Sequence, residues 1–129
     1  MAQTLYPTFR YADAHAAMEW LERTLGFERG QVHESEDGAV AHAELSFRGS
    51  WIMLGSAGDA ADEGRLPGEF GPSLTYIAVD EVDSLHDRAR DAGAHIRMPL
   101  TDTDYGSRDF AVSDPEGNVW SFGTYRVDG

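Results

Sequence analysis

The sequence predicts an α+β fold made of two βαβββ modules, and three observations carry that expectation. The chain repeats itself: Tyr11-Ala12-Asp13 and Val79-Asp80-Glu81 each open a helical stretch, and Gly49-Ser50-Trp51-Ile52-Met53-Leu54 matches Gly117-Asn118-Val119-Trp120-Ser121-Phe122, in both cases at an offset of 68 residues. Two separate matches at one offset indicate a duplicated unit. Each half contains one stretch of helical periodicity. Each half also contains four short stretches that read as strands, one before the helix and three after it.

The elements follow in order. In the first half a strand spans Leu5 to Tyr11, and a helix runs to Leu25-Gly26-Phe27. Ala14, Ala17, Met18, Leu21 and Leu25 fall on one apolar stripe, with Asp13 as N-cap and Gly26 as C-cap. Strands are expected near 29–34, 39–48 and 50–55. In the second half a strand spans Ser73 to Val79. Val82, Leu85, Ala89 and Ala92 form the helical stripe, Asp80 is placed to cap it and Gly93 to end it. Strands are expected near 95–98, 107–113 and 118–125. Gly49-Ser50 and Glu116-Gly117-Asn118 sit at tight hairpin positions. The modules cover about 3–57 and 72–126 of a single domain spanning 1–129. The Gly-, Pro- and acid-rich linker 58–71 between them reads as a surface connection or a lid. One helix covers one face of each sheet. The other face is either buried by something else or forms a cleft.

Composition excludes several functions. There is no cysteine, so disulfides, thiolate metal sites and a cysteine nucleophile are ruled out. Asp and Glu outnumber Arg and Lys by 23 to 10, a net charge of −13 that repels phosphate backbones and anionic membranes. Neither nucleic acid nor membrane is expected as a partner. The N-terminal residues lack the basic and apolar regions of a signal peptide, and no apolar run is long enough to span a bilayer, so a cytoplasmic protein is expected. No phosphate loop, Ser-His-Asp pattern or calcium loop is present, and we expect no cofactor.

Four segments, PTFRYADAHAAMEWLERTLGFE, HAELSFRGSWIMLG, YIAVDEVDSLHDRARDAGA and YGSRDFAVSDPEGNVWSFGTY, together covering most of the chain, resemble the vicinal oxygen chelate superfamily. That superfamily includes glyoxalase I, extradiol dioxygenases, fosfomycin-resistance enzymes and bleomycin-binding proteins. The last segment is the most specific, with a strand, the turn Asp114-Pro115-Glu116-Gly117-Asn118 and an aromatic strand. The resemblance implies cupped mixed sheets with the helices outside, and pairing as a homodimer. It also implies where metal ligands would stand: on the first and last strand of each module, at positions that are Tyr6, Met53, Leu74 and Ser121 here. A divalent metal needs at least three imidazole or carboxylate groups in one place, which these residues do not supply. A metal-free cup is therefore expected, without Lewis-acid catalysis.

Other residues are candidates for the site. His42 and Glu44 alternate with Ala41, Ala43 and Leu45, so they share one strand face, where they can act as a general base, bind a cationic or amine ligand, or simply be an exposed polar face. Tyr105 and Arg108 lie where a loop enters a strand. Arg108 can clamp a carboxylate or phosphate-like group, or pair with a surface acid as arginines in acidic chains do. Asp109 is expected to face away from it. Trp51, Tyr76 and Tyr125, with Tyr6, share the parity of the ligand positions and would give an aromatic lining, or a filled interface. Trp20, Trp120 and Phe122 are expected in the core. His15, His33, His86 and His95 are scattered, with His15 and His86 on exposed helix faces.

Three functions follow. The leading one is a metal-independent protein binding an aromatic or apolar small molecule. The second is a lyase, isomerase or thiol-conjugating enzyme using His42 and Glu44 for acid–base chemistry. The third is a structural module whose cup is filled.

Overall fold

The computed structural model describes residues 2–57 and 72–127; the linker, and with it the expected lid, lies outside them. The chain divides into two compact units, Met1–Gly71 and Pro72–Gly129. In the first, β1 (Thr8–Tyr11) leads into α1 (Ala14–Trp20), followed by β2 (Glu28–Glu34), β3 (Val40–Phe47) and β4 (Ser50–Ser56). In the second, β5 (Leu74–Ala78) leads into α2 (Val82–Asp91), followed by β6 (His95–Asp102), β7 (Arg108–Ser113) and β8 (Val119–Gly123). The two four-stranded sheets have equivalent orders, β1-β4-β3-β2 and β5-β8-β7-β6. In each, the first strand runs parallel to the last and the other pairings are antiparallel. The predicted α+β fold of two βαβββ modules is the fold observed.

Alternation fixes which face each helix covers. Phe9, Tyr11, Ala43, Leu45, Ile52 and Leu54 are buried in the first module, as is the predicted α1 stripe of Ala14, Ala17, Met18, Leu21 and Leu25. In the second, Phe110, Val112, Trp120 and Phe122 are buried with Val82, Leu85 and Ala89. Phe110 and Phe122 are cross-strand partners whose rings stack at 5.3 Å. Trp20, Trp120 and Phe122 are core residues as expected.

Local chemistry explains the ends of elements. The Asp13 side chain accepts from the Ala16 amide at 3.0 Å, capping α1. The predicted single helix changes pitch at Leu21: residues Leu21–Leu25 form one wide π turn that closes on Gly26 at φ 86°. The wide turn carries Thr24 into the interior, fully buried. Asp80 does not cap α2. Glu81 occupies the N-cap without a side-chain bond, while Asp80 pairs with Arg126 at 3.3 Å. The β3–β4 hairpin turns on Arg48 and Gly49, both at positive φ (53° and 87°), as a two-residue hairpin requires.

Strand β6 runs past its predicted end to Asp102 and includes Pro99. Proline is tolerated there because β6 is the edge strand. Ala41 is not in the core either. A register shift between His33 and Glu34 inserts an extra β3 residue, so Val40 turns inward, fully buried, and Ala41 stays exposed.

The turn 114–118 is tied by one carboxylate. Asp114 Oδ1 accepts from the amides of Glu116 and Asn118 at 3.0 Å each, and Oδ2 accepts from Asn118 Nδ2 and Trp120 Nε1 at 3.2 Å each. Asn118 Oδ1 in turn accepts from the Ser73 amide at 2.9 Å, anchoring the start of β5.

Candidate functional site

The face opposite the helix in each module carries most of the predicted site residues. In the first module, the buried partners Phe9, Leu45, Ile52 and Leu54 leave Thr8, Arg10, His42, Glu44, Trp51 and Met53 on the other side of the sheet. Tyr6 immediately precedes β1 and is 40% exposed; Trp51 is 38% exposed. Gln3 holds this corner. Its side-chain amide donates to the Trp51 carbonyl at 2.8 Å and accepts from the Trp51 amide at 2.7 Å, as another strand residue would. The Trp51 ring lies over Gly30, where a Cβ would stand 2.7 Å from Cζ3.

His42 and Glu44 are brought together, with Nε2 and Oε2 3.0 Å apart. The His33 and His42 rings stack at 6.2 Å, and His33 bonds Gln31 at 3.2 Å. Both members of the His42–Glu44 pair remain solvent-accessible. His15 is exposed on α1 and bonds the Gly38 carbonyl at 3.0 Å. His86 was expected to be exposed, but it is half-buried and meets Phe110 edge-on at 5.3 Å.

In the second module the corresponding face holds Leu74, Tyr76, Ser121 and Asp109. Ser121 pairs with Tyr76 across the parallel ladder and with Ala111 across the antiparallel one. Tyr76 donates to the buried Asp109 carboxylate at 3.1 Å and accepts from the Tyr125 amide at 3.0 Å. Burial raises the Tyr76 hydroxyl above the ordinary tyrosine range; the Tyr125 amide opposes the shift and the Asp109 carboxylate adds to it. Tyr105 and Tyr125 meet edge-on at 5.7 Å, both exposed.

Arg108 is on the other side. It shares the parity of Phe110 and Val112, and its guanidinium binds Asp83 of α2 at 2.7 Å and Asp102 at 3.0 Å. These two carboxylates hold its pKa above the ordinary arginine value. Of the two roles expected for Arg108, pairing with surface acids is the one in the structure. Asp109 does point away from Arg108, which puts the carboxylate on the open face. Sequence reading missed Asp109, Thr8 and Arg10 as members of these faces; the parity that singled out Tyr6 would have found the last two.

The residues at the metal-ligand positions do not fit a metal. The ladders make Thr8 the neighbour of Met53 and Tyr76 the neighbour of Ser121, two residues beyond Tyr6 and Leu74. None of these six residues offers imidazole or carboxylate. Among the described residues no group of three His, Cys, Asp or Glu is placed to hold a metal ion. No helix among the described residues is long and apolar enough to cross a membrane.

Comparison with known proteins agrees with this fold. Residues 4–122 match the family model described as the Glyoxalase/Bleomycin resistance protein/Dioxygenase superfamily. The chain belongs to that superfamily. It is 32% identical over 124 residues to an uncharacterized protein of Mycobacterium bovis, covering 92% of this chain and 81% of that one. Among solved structures it is similar to TioX from Micromonospora sp. ML1, with 27% identity, a TM-score of 0.76, and coverage of 98% of this chain and 99% of the other. The fosfomycin resistance protein FosX from Listeria monocytogenes, solved with Mn(II) and sulfate, shares the fold at a TM-score of 0.66 and 12% identity, with 98% and 95% coverage.

Proposed function

We propose that this protein binds a small aromatic or apolar molecule on the helix-free faces of its sheets and does so without a metal. One observation carries the reading: where enzymes of the family place metal ligands, this chain has Tyr6, Met53, Leu74 and Ser121, while Trp51 and Tyr76 stand exposed on the same faces. Exposed aromatic rings offer stacking worth about 0.5–1.5 kcal/mol per ring beyond burial. Pairing as a homodimer belongs to this proposal on the strength of the family resemblance.

The test is calorimetric titration with 1-naphthamide, a neutral aromatic probe, before and after dialysis against a chelator. Saturable binding that survives chelation and weakens several-fold in Trp51→Ala is expected. Binding lost on chelation, or one tightly held divalent ion per chain by elemental analysis, overturns it.

The His42–Glu44 contact at 3.0 Å favours a second reading, an acid–base enzyme of the lyase, isomerase or thiol-conjugating kind. It requires that His42→Ala and Glu44→Ala each abolish turnover of a 2-oxoaldehyde thiol adduct while leaving the melting temperature in place.

A further inference from the structure

We propose that Arg10 is the anchor of a carboxylate-binding subsite on the helix-free face of the first module; this deepens the reading of that face as a ligand-binding surface. Arg10 lies on β1 beside Gly55 of β4. Its guanidinium lies over that glycine: a Cβ at position 55 would stand 2.7 Å from Arg10 Nη1, and 3.1 and 3.2 Å from the Ala41 and Val40 carbonyl oxygens. The glycine therefore makes room for the cation, and the bulge at Ala41 borders that space.

Arg10 combines the lack of a carboxylate partner with a buried Nε that has no hydrogen-bond partner among the described residues. Among the described residues its Nη1 reaches only the Phe9 carbonyl, at 3.5 Å, the outer limit of a hydrogen bond. No carboxylate among the described residues forms an ion pair with it, although the chain has 23 acidic residues against 10 cationic ones. Arg29, Arg90, Arg108 and Arg126 all have such partners. A guanidinium without a carboxylate partner is a ready anchor for an incoming carboxylate, which binds it through charge-assisted hydrogen bonds.

The neighbours narrow the ligand class. Glu44 is the partner of Met53, two residues along β4 from Gly55, so its backbone lies roughly 7 Å away along the strand. Its carboxylate is already engaged by His42 at 3.0 Å. Thr8, next along the same face of β1, already donates its hydroxyl to the Tyr6 carbonyl at 3.1 Å. Arg29 is drawn to the helix side by Glu22 at 2.6 Å, so it brings no second cation to this face. A single guanidinium matches a monoanion better than a dianionic phosphate. The ligand class is thus an aromatic or apolar acid carrying a single carboxylate, its apolar part lying toward Met53 and Trp51.

The test compares 1-naphthoate with the neutral 1-naphthamide by calorimetric titration of the full chain. The wild-type protein is expected to bind naphthoate about tenfold more tightly. The protein's net charge of −13 works against an anion, so such a preference must come from the local site. Arg10→Gln should erase the preference, Arg10→Lys should keep part of it, and Arg108→Gln should keep all of it. Equal wild-type affinity for the two probes, or a preference that survives Arg10→Gln, overturns the subsite while leaving the binding function standing. Failure of both probes to bind overturns the subsite and the binding function together.

Discussion

The Tyr76 hydroxyl of β5 bonds the Asp109 carboxylate of β7 at 3.1 Å, across the intervening strand β8. The bond crosses there because Gly123 of β8 has no side chain: a Cβ at that position would land on both Asp109 Oδ1 and the Tyr76 hydroxyl. Gly123→Ala should therefore destabilise the protein by an amount on the order of 3 kcal/mol, combining overpacking with loss of the bond. Tyr76→Phe removes only the hydroxyl and should cost about 1–2 kcal/mol. Urea denaturation checks both values, and equal costs would refute the crossing geometry.

The same hydroxyl sets an alkaline limit. Its pKa in the folded protein is raised, chiefly by burial. The unfolded chain loses this proton near pH 10, and the folded one holds it to higher pH. Between the two values the unfolded state binds fewer protons, so stability falls as pH rises. The contribution is fully present below about pH 10 and disappears as the pH climbs through the folded value. Melting temperatures measured across this range should fall less steeply in Tyr76→Phe than in wild type. Identical slopes would assign the alkaline loss to other groups.

Among the described residues the buried Asp114 accepts from the amides of Glu116 and Asn118, the Asn118 side chain and Trp120. Asp114→Ala leaves those donors unpaired and should cost on the order of 3 kcal/mol or more in chemical denaturation. Asp114→Asn keeps an acceptor for the two amides and should cost less. A cost below that of an ordinary surface substitution would show that the turn is held by its glycine alone.

The sequence by itself determined the fold and its doubling. The 68-residue repeat, the apolar stripe of α1, the Asp13 cap and Gly26 all reappear in the structure, because hydrophobic periodicity and capping are local and survive without knowledge of partners. Strand alternation was also enough to place Tyr76, Ser121, Met53 and Trp51 on one parity. Tertiary structure decided which side of each sheet that parity occupies and what the side chains meet there. Arg108 and Asp109 are adjacent in sequence, and only the packing of α2, with Asp83 at its first turn, shows that the arginine goes to the helix side and the carboxylate to the open face. Ala41 and Val40 exchanged roles through a bulge that no composition signals. Arg10 looked like one more polar residue on a strand; its importance depends on Gly55, 45 residues further along the chain, leaving space beside it. Contacts between residues so far apart in sequence are fixed by ladder register, and register is a property of the assembled sheet.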